Sequence, residues 1–150
     1  MSVTKKNNHP YGDNQKDIQS VLIDYSKANE YPIQHFSNAI CSCGNKTFKL
    51  FSDENEGAAV RECIKCKTEH PIGDSEEYLE SAKLEQHECL CESEEFEITA
   101  GISLYKDSDD VRWFYIGCRC PKCKLIGCYC DWKNEYLGYK ELLDIAKKAV

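Results

Sequence analysis

The hydrophobic positions follow two different periods along the chain. Over residues 14–29, Ile18, Val21, Leu22, Tyr25 and Ala28 recur at three- and four-residue steps, the spacing of an amphipathic helix. Asp13 or Asn14 can cap it and Pro32 ends it. Its apolar stripe is expected to lie on the segment that follows. There, residues 47–51 and 58–62 read as strands joined by a turn-rich stretch at 53–57, and residues 70–73 as a short third strand and a turn. Residues 74–87 are a second helix candidate. Asp74 and Glu77 have capping-box spacing, and Tyr78, Leu79, Ala82 and Leu84 form an apolar side. Residues 98–105 and 111–117 read as the arms of a long hairpin, and 125–132 as another strand. Residues 136–149 suit a final helix, with Leu142, Leu143, Ile145 and Ala146 as its apolar set and Lys147 and Lys148 in the last turn, where positive charge suits the helix dipole.

The cysteines repeat on the same frame. Cys41, Cys43, Phe48 and Leu50 are followed 48 residues later by Cys89, Cys91, Phe96 and Ile98. Cys63-Ile-Lys-Cys66-Lys67 returns as Cys120-Pro-Lys-Cys123-Lys124 at an offset of 57. The difference of 9 residues is an insertion in the longer second hairpin, which is how a duplicated module accepts extra length. Two cysteines one or two residues apart can present both sulfurs to one ion from a tight turn, and a second pair completes a tetrahedral shell. Cys41, Cys43, Cys63 and Cys66 are the expected first site, and Cys89, Cys91, Cys120 and Cys123 the second. Cys118, Cys128 and Cys130 remain. Small core residues are the favoured reading for them; the other is a third metal site, or exchange of Cys118 for Cys120 in the second site, and a four-ligand third site needs a further ligand, for which His87 and Asp131 are poor candidates.

The motifs CSCG…CIKC and CLCE…CPKC resemble those of the zinc-ribbon, or rubredoxin-like, group over residues 39–73 and 88–132. The first knuckle of each copy is CxC instead of CxxC, and Lys67 and Lys124 stand where a glycine commonly trails the second. The resemblance implies two tandem ribbons, each a three-stranded antiparallel sheet; with the N-terminal, linking and C-terminal helices read from the apolar spacing, the expected fold is α+β. The expected organisation is a flexible tail at 1–13, helix and first ribbon at 14–73, linking helix at 74–87, and second ribbon with the final helix at 88–150. Two structural Zn2+ ions per chain follow, although four thiolates also hold iron.

Composition narrows the function. No apolar run of membrane-spanning length is present, and residues 1–13 are polar with no apolar stretch after Lys5 and Lys6. A cytoplasmic location is therefore expected, and there cysteines serve as thiolate ligands rather than disulfides. The net charge is −7, unevenly spread. Residues 51–100 hold 15 Asp and Glu against Arg61, Lys65, Lys67 and Lys83, a local −11 that leaves +4 for the rest. Two zinc ions, each held by four thiolates, would make the chain more acidic still.

Closed four-thiolate shells favour a structural metal, since catalytic zinc keeps an open position. His9, His35, His70 and His87 are scattered, and there is no HExxH, phosphate loop or nucleophile elbow. The chain is expected to be a non-catalytic binding protein that presents an acidic surface, including Glu76, Glu77, Glu80 and Glu85, to a basic protein partner. A bacterial immunity or inhibitor protein is one form of this. The alternative is a nucleic-acid or transcription-accessory protein. It would use the second ribbon, where Trp113, Phe114, Tyr115, Tyr129 and Trp132 lie near Arg112, Arg119, Lys122, Lys124 and Lys133.

Overall fold

Alternation decides the first module. In Phe48–Asp53 (β4), Phe48, Leu50 and Ser52 turn inward while Lys49, Phe51 and Asp53 are partly solvated, as a strand with one buried face requires. It pairs antiparallel with Ala58–Cys63 (β5), which pairs with Glu69–Pro71 (β6). The second module repeats this with Glu97–Leu104 (β8), Val111–Arg119 (β9) and Ile126–Tyr136 (β10). Each sheet also takes a fourth strand, one that precedes the other module. His35–Asn38 (β3) pairs with β8 and Glu85–Gln86 (β7) with β4, giving the orders β10-β9-β8-β3 and β6-β5-β4-β7. A two-stranded sheet of Thr4–Lys6 (β1) and His9–Tyr11 (β2) lies within the stretch read as a tail.

The computed structural model describes residues 3–6, 9–72 and 75–136. Within them the fold is mostly β: ten strands in three sheets and one α-helix, Asp17–Ala28 (α1). The expected α+β arrangement of two three-stranded ribbons with three helices is therefore overturned. The linking helix is replaced by a single 3-10 turn, Ser75–Tyr78, and then β7. Ser75 Oγ is drawn inward to donate to Ile72 O and to accept from the Ala59 N–H at 2.9 Å, and the Lys83 N–H donates to Asp53 Oδ2 at 2.9 Å. Those ties to the first sheet compete with helical hydrogen bonds. Tyr136, expected to open the final helix, closes β10, and the rest of that helix lies outside the described residues.

The strand exchange is symmetric. Ser37↔Ala100 and Asn38↔Thr99 between β3 and β8 become Glu85↔Ser52 and Gln86↔Phe51 between β7 and β4 when the offset of 48 is applied. The Ala39 N–H donates to Ile98 O at 2.9 Å, and the equivalent His87 N–H donates to Leu50 O at 2.8 Å. At the centre, Phe48 and Phe96 form a bridge with each other. An internal two-fold therefore relates the modules, and one core crosses it: Phe48, Leu50, Ile72, Phe96, Ile98, Phe114 and Ile116 are all buried together.

The helix α1 packs on the second module, not the first. Ile18 and Leu22 join Tyr115 and Ile126 in a separate cluster. A Cβ at Gly117 on β9 would come within 2.7 Å of Ile18 Cγ2 and 2.9 Å of Leu22, so the missing side chain lets the helix seat. Chain order misleads here because the sheet that carries the matching apolar face is formed by later residues.

Candidate metal centres

Each module brings its four cysteines to one end of its sheet. The first knuckle is a tight turn in which the Cys41 N–H donates to Asn45 O at 2.9 Å and the Gly44 N–H to Cys41 O at 2.8 Å. In the second module these are Cys89 to Ser93 O and Glu92 to Cys89 O, both at 2.8 Å. Gly44 has φ +91° and Glu92 φ +75°, so both turns close through left-handed backbone. The later knuckles match as well: the Lys67 N–H reaches Cys63 O at 3.0 Å and the Lys124 N–H Cys120 O at 2.8 Å. Lys67 and Lys124, the two lysines in the trailing-glycine place, have φ +65° and +72°.

These turns converge the sulfurs. Cys41 Sγ lies 3.5 Å from Cys66 Sγ and Cys43 Sγ 3.6 Å from Cys63 Sγ; Cys89–Cys123 and Cys91–Cys120 repeat the same two distances. Within each set all four Sγ atoms lie within 4.8 Å of one another. A tetrahedron of Zn–S bonds of about 2.3 Å has edges of about 3.8 Å, so the donor set fits a metal of that size. All eight are free thiols, and the gaps are far beyond a disulfide bond of about 2.05 Å. Cys41, Cys63, Cys89 and Cys120 are buried while Cys43 and Cys66 face solvent.

The surroundings favour thiolate at particular sulfurs. Burial works against charge on Cys63, but the Cys66 N–H, the Asn45 side-chain amide and the Lys65 N–H outweigh it and hold the thiol down at about 6. The Ser93 N–H leads in lowering Cys91 to about 7, whereas burial pushes Cys89 up to about 12. The first cysteine of each module also meets a side chain from its third strand. His70 Nε2 stands 3.8 Å from Cys41 Sγ, and Cys89 is among the groups that raise the Tyr129 hydroxyl, after its burial. Partners of this kind orient ligands and tune the metal. The buried Arg61 guanidinium, 5.1 Å from the Phe48 ring centroid, feels the charge of Cys41 and has no counterpart in the second module, where Cys118 holds the equivalent position.

The chain is a protein with two possible metal-binding sites of four cysteines each. No family model, curated protein or solved structure matches it. Among the described residues these two sets are the groups of three or more metal-ligating side chains that come together. Cys118, Cys128 and Cys130 form no such group; Cys118 and Cys130 are buried and Cys128 half-buried, and burial raises all three thiols. No described helix is long and apolar enough to cross a membrane.

Glu76, Glu80 and Glu85 are exposed; Glu77 lies in the 3-10 turn, its side chain outside the described set. The aromatic and basic residues around the second module are largely engaged within it. Phe114, Tyr115 and Trp132 are buried. Trp113 stacks on Tyr31 at 4.6 Å, and the Arg112 guanidinium lies 4.5 Å from the same ring. Arg119 donates to Gly12 O and to Glu97, both at 2.7 Å, and Lys124 meets Asp13 at 3.2 Å.

Proposed function

We propose that this is a double zinc-ribbon-like protein whose two structural Zn2+ ions set the knuckles of an internally symmetric β scaffold, and that it works by binding a basic protein partner rather than by catalysis. The observation that carries this reading is Leu90. It sits between Cys89 and Cys91 at the tip of a knuckle, is 75% exposed, and is flanked in sequence by exposed Glu88, Glu92, Glu94 and Glu95. An exposed aliphatic side chain on a metal-stiffened turn, surrounded by carboxylates, suits a partner with an apolar pocket and a basic rim. Tyr78 and Leu84, 40% and 39% exposed, add apolar surface along the same acidic segment. An immunity or inhibitor protein that blocks a basic toxin or nuclease fits this description.

The nucleic-acid alternative is less favoured because stacking needs free aromatic faces and phosphates need free cations. Most of the aromatic residues involved are buried or stacked, Arg119 is paired with Glu97 inside the fold, Arg112 lies against the Tyr31 ring, and Lys124 meets Asp13 at the surface.

The test is retention of partners on immobilised, metal-loaded protein, beside a Leu90→Asp, Glu92→Lys, Glu94→Lys variant that keeps both metal equivalents. A basic protein held by the wild type, lost from the variant and released by salt is the expected result. Equal retention by both chains sinks the proposal, as does salt-sensitive binding of single-stranded RNA or DNA in its place.

A further inference from the structure

The internal two-fold supplies a comparison within the molecule: the two centres share their backbone turns and differ in what surrounds the sulfurs. Backbone N–H groups reach sulfur in both, as at Cys63 and Cys91. The side chains are not matched. In the first module the Asn45 side-chain amide donates to Cys63 Sγ at 3.3 Å, the Thr68 hydroxyl reaches Cys66 Sγ at 3.1 Å, and His70 Nε2 stands 3.8 Å from Cys41 Sγ. Arg61, fully buried, adds a guanidinium that feels the charge of Cys41.

Each of these four positions holds a different kind of residue in the second module. Offset and register place Ser93 at Asn45, Leu125 at Thr68, Gly127 at His70 and Cys118 at Arg61. The Cys63 N–H donates to Thr68 O and the Cys120 N–H to Leu125 O, both at 2.9 Å, so the second correspondence is fixed by the backbone. Leucine and glycine side chains carry no donor, Cys118 carries no cation, and the Ser93 hydroxyl accepts from the Glu95 N–H at 3.3 Å. Against these losses stands the Tyr129 hydroxyl, which is raised in part by Cys89.

Four thiolates around one divalent ion leave a double negative charge, and donors or cations beside the sulfurs spread it. Changing one such partner costs a metal site roughly 10–100-fold in affinity. Solvent access runs the other way, since Cys43 and Cys66 are exposed while Cys91 and Cys123 are half-buried. Access governs how fast a competitor reaches an ion, not which ion is held more tightly.

We infer that the two centres divide the work: the first is a permanently filled structural site, and the second an exchangeable one whose occupancy follows the free Zn2+ level. This rests on the zinc reading proposed above and adds a means of control to it. Leu90 stands between Cys89 and Cys91, so the knuckle that presents it is held in shape by the more weakly bound ion. When Zn2+ is scarce, the second knuckle loosens first and the Leu90 surface is lost with it, while the first centre stays filled. Partner binding is then gated by zinc.

The test is equilibration of the zinc-loaded full chain with graded chelator at fixed pH, with native mass spectrometry to count ions and amide hydrogen exchange to locate the loss. Two steps are expected, with free Zn2+ at half-loss differing by about tenfold or more. At one ion per chain, exchange rises over residues 89–93 and 120–124 while 41–45 and 63–67 stay protected. An Asn45→Ser, Thr68→Leu variant, which places the second module's residues at two positions outside the core, narrows the gap between the steps; Arg61 is left in place because it packs on Phe48. Loss of both ions in one step, loss from the first centre before the second, or a gap that the variant leaves unchanged overturns the inference. Fewer than two zinc at saturation would instead count against the four-cysteine sites themselves, so the two failures are distinguishable.

Discussion

Phe48 and Phe96 exchange both of their backbone hydrogen bonds, each N–H donating to the other's carbonyl at 2.8 Å. They occupy the same place in the two repeats, and both side chains are fully buried. The pair sits where the internal two-fold crosses the chain, so each module's first strand leans on the other. The modules thus share one packed core, although their metal sites are separate.

That arrangement predicts a shared penalty. Phe48→Ala or Phe96→Ala should each cost about 3–5 kcal/mol, the usual range for a buried aromatic truncation. Either change should lower stability in both modules together. Denaturation of the metal-loaded protein followed by tryptophan fluorescence and by far-UV circular dichroism should give one coincident transition. Two separated transitions would show the modules to be independent.

The metal sites, by contrast, should fail one at a time. Cys43→Ser or Cys66→Ser should remove the first ion, and Cys91→Ser or Cys123→Ser the second, each leaving the other four-thiolate set intact. Because ligands preorganised only in the folded state make metal binding part of the folding energy, a strong chelator should unfold the wild type. Native mass spectrometry before and after chelation checks both points. Loss of both ions from a single substitution would mean that the centres are coupled.

The repeat was legible because ligand chemistry fixes spacing. The pairs at 41/43, 63/66, 89/91 and 120/123 cannot drift without losing the shell, so the duplication stands out in one sequence. The strands inside each hairpin followed from alternation. What escaped was the exchange: β3 is four residues and β7 two, too short to carry a period, and their partners belong to the other repeat. The stretch after Asp74 looked helical because Tyr78, Leu79 and Ala82 have helical spacing, but the ties of Ser75 and Lys83 to the first sheet override a pattern so brief. Ser52, His87 and Cys130 also meet; of that meeting only His87 beside Cys130 was raised from the sequence, and Ser52 was not, since the three stand on β4, just after β7 and on β10.

The two left-handed lysines give a stabilising prediction. Lys67 and Lys124 adopt φ +65° and +72° immediately after their knuckles, a conformation that costs an L-residue with a Cβ roughly 1–2 kcal/mol and glycine almost nothing. Lys67→Gly and Lys124→Gly should therefore stabilise, less the extra entropy glycine has when unfolded, for a net gain of about 0.5–1 kcal/mol each. Urea midpoints of the metal-loaded chains read this directly. A loss of stability would mean that the lysine side chains supply something the backbone argument omits.

The contact between the first hairpin and β10 sets a pH dependence. Burial, followed by the negative charge of Asp131, raises the Glu54 carboxyl above its ordinary value, although the Asp131 N–H donates to it. Asp131 stays fixed beside it, accepting from the Tyr25 hydroxyl at 3.0 Å and from Trp113 Nε1 at 2.9 Å. Because the folded state binds the Glu54 proton more tightly than the unfolded state, ionisation of Glu54 opposes folding. The penalty is complete above the raised pKa and vanishes below the ordinary one. Glu54→Gln has no charge to lose and its amide oxygen still accepts from Asp131. It should raise the denaturation midpoint at pH 7.5, by less than about 1 kcal/mol because the site is largely solvated. The gain over wild type should shrink as the pH falls through the carboxylate range, with the midpoints of both chains compared at each pH. A gain that stays constant with pH would mean that Glu54 acts through packing and not through its charge.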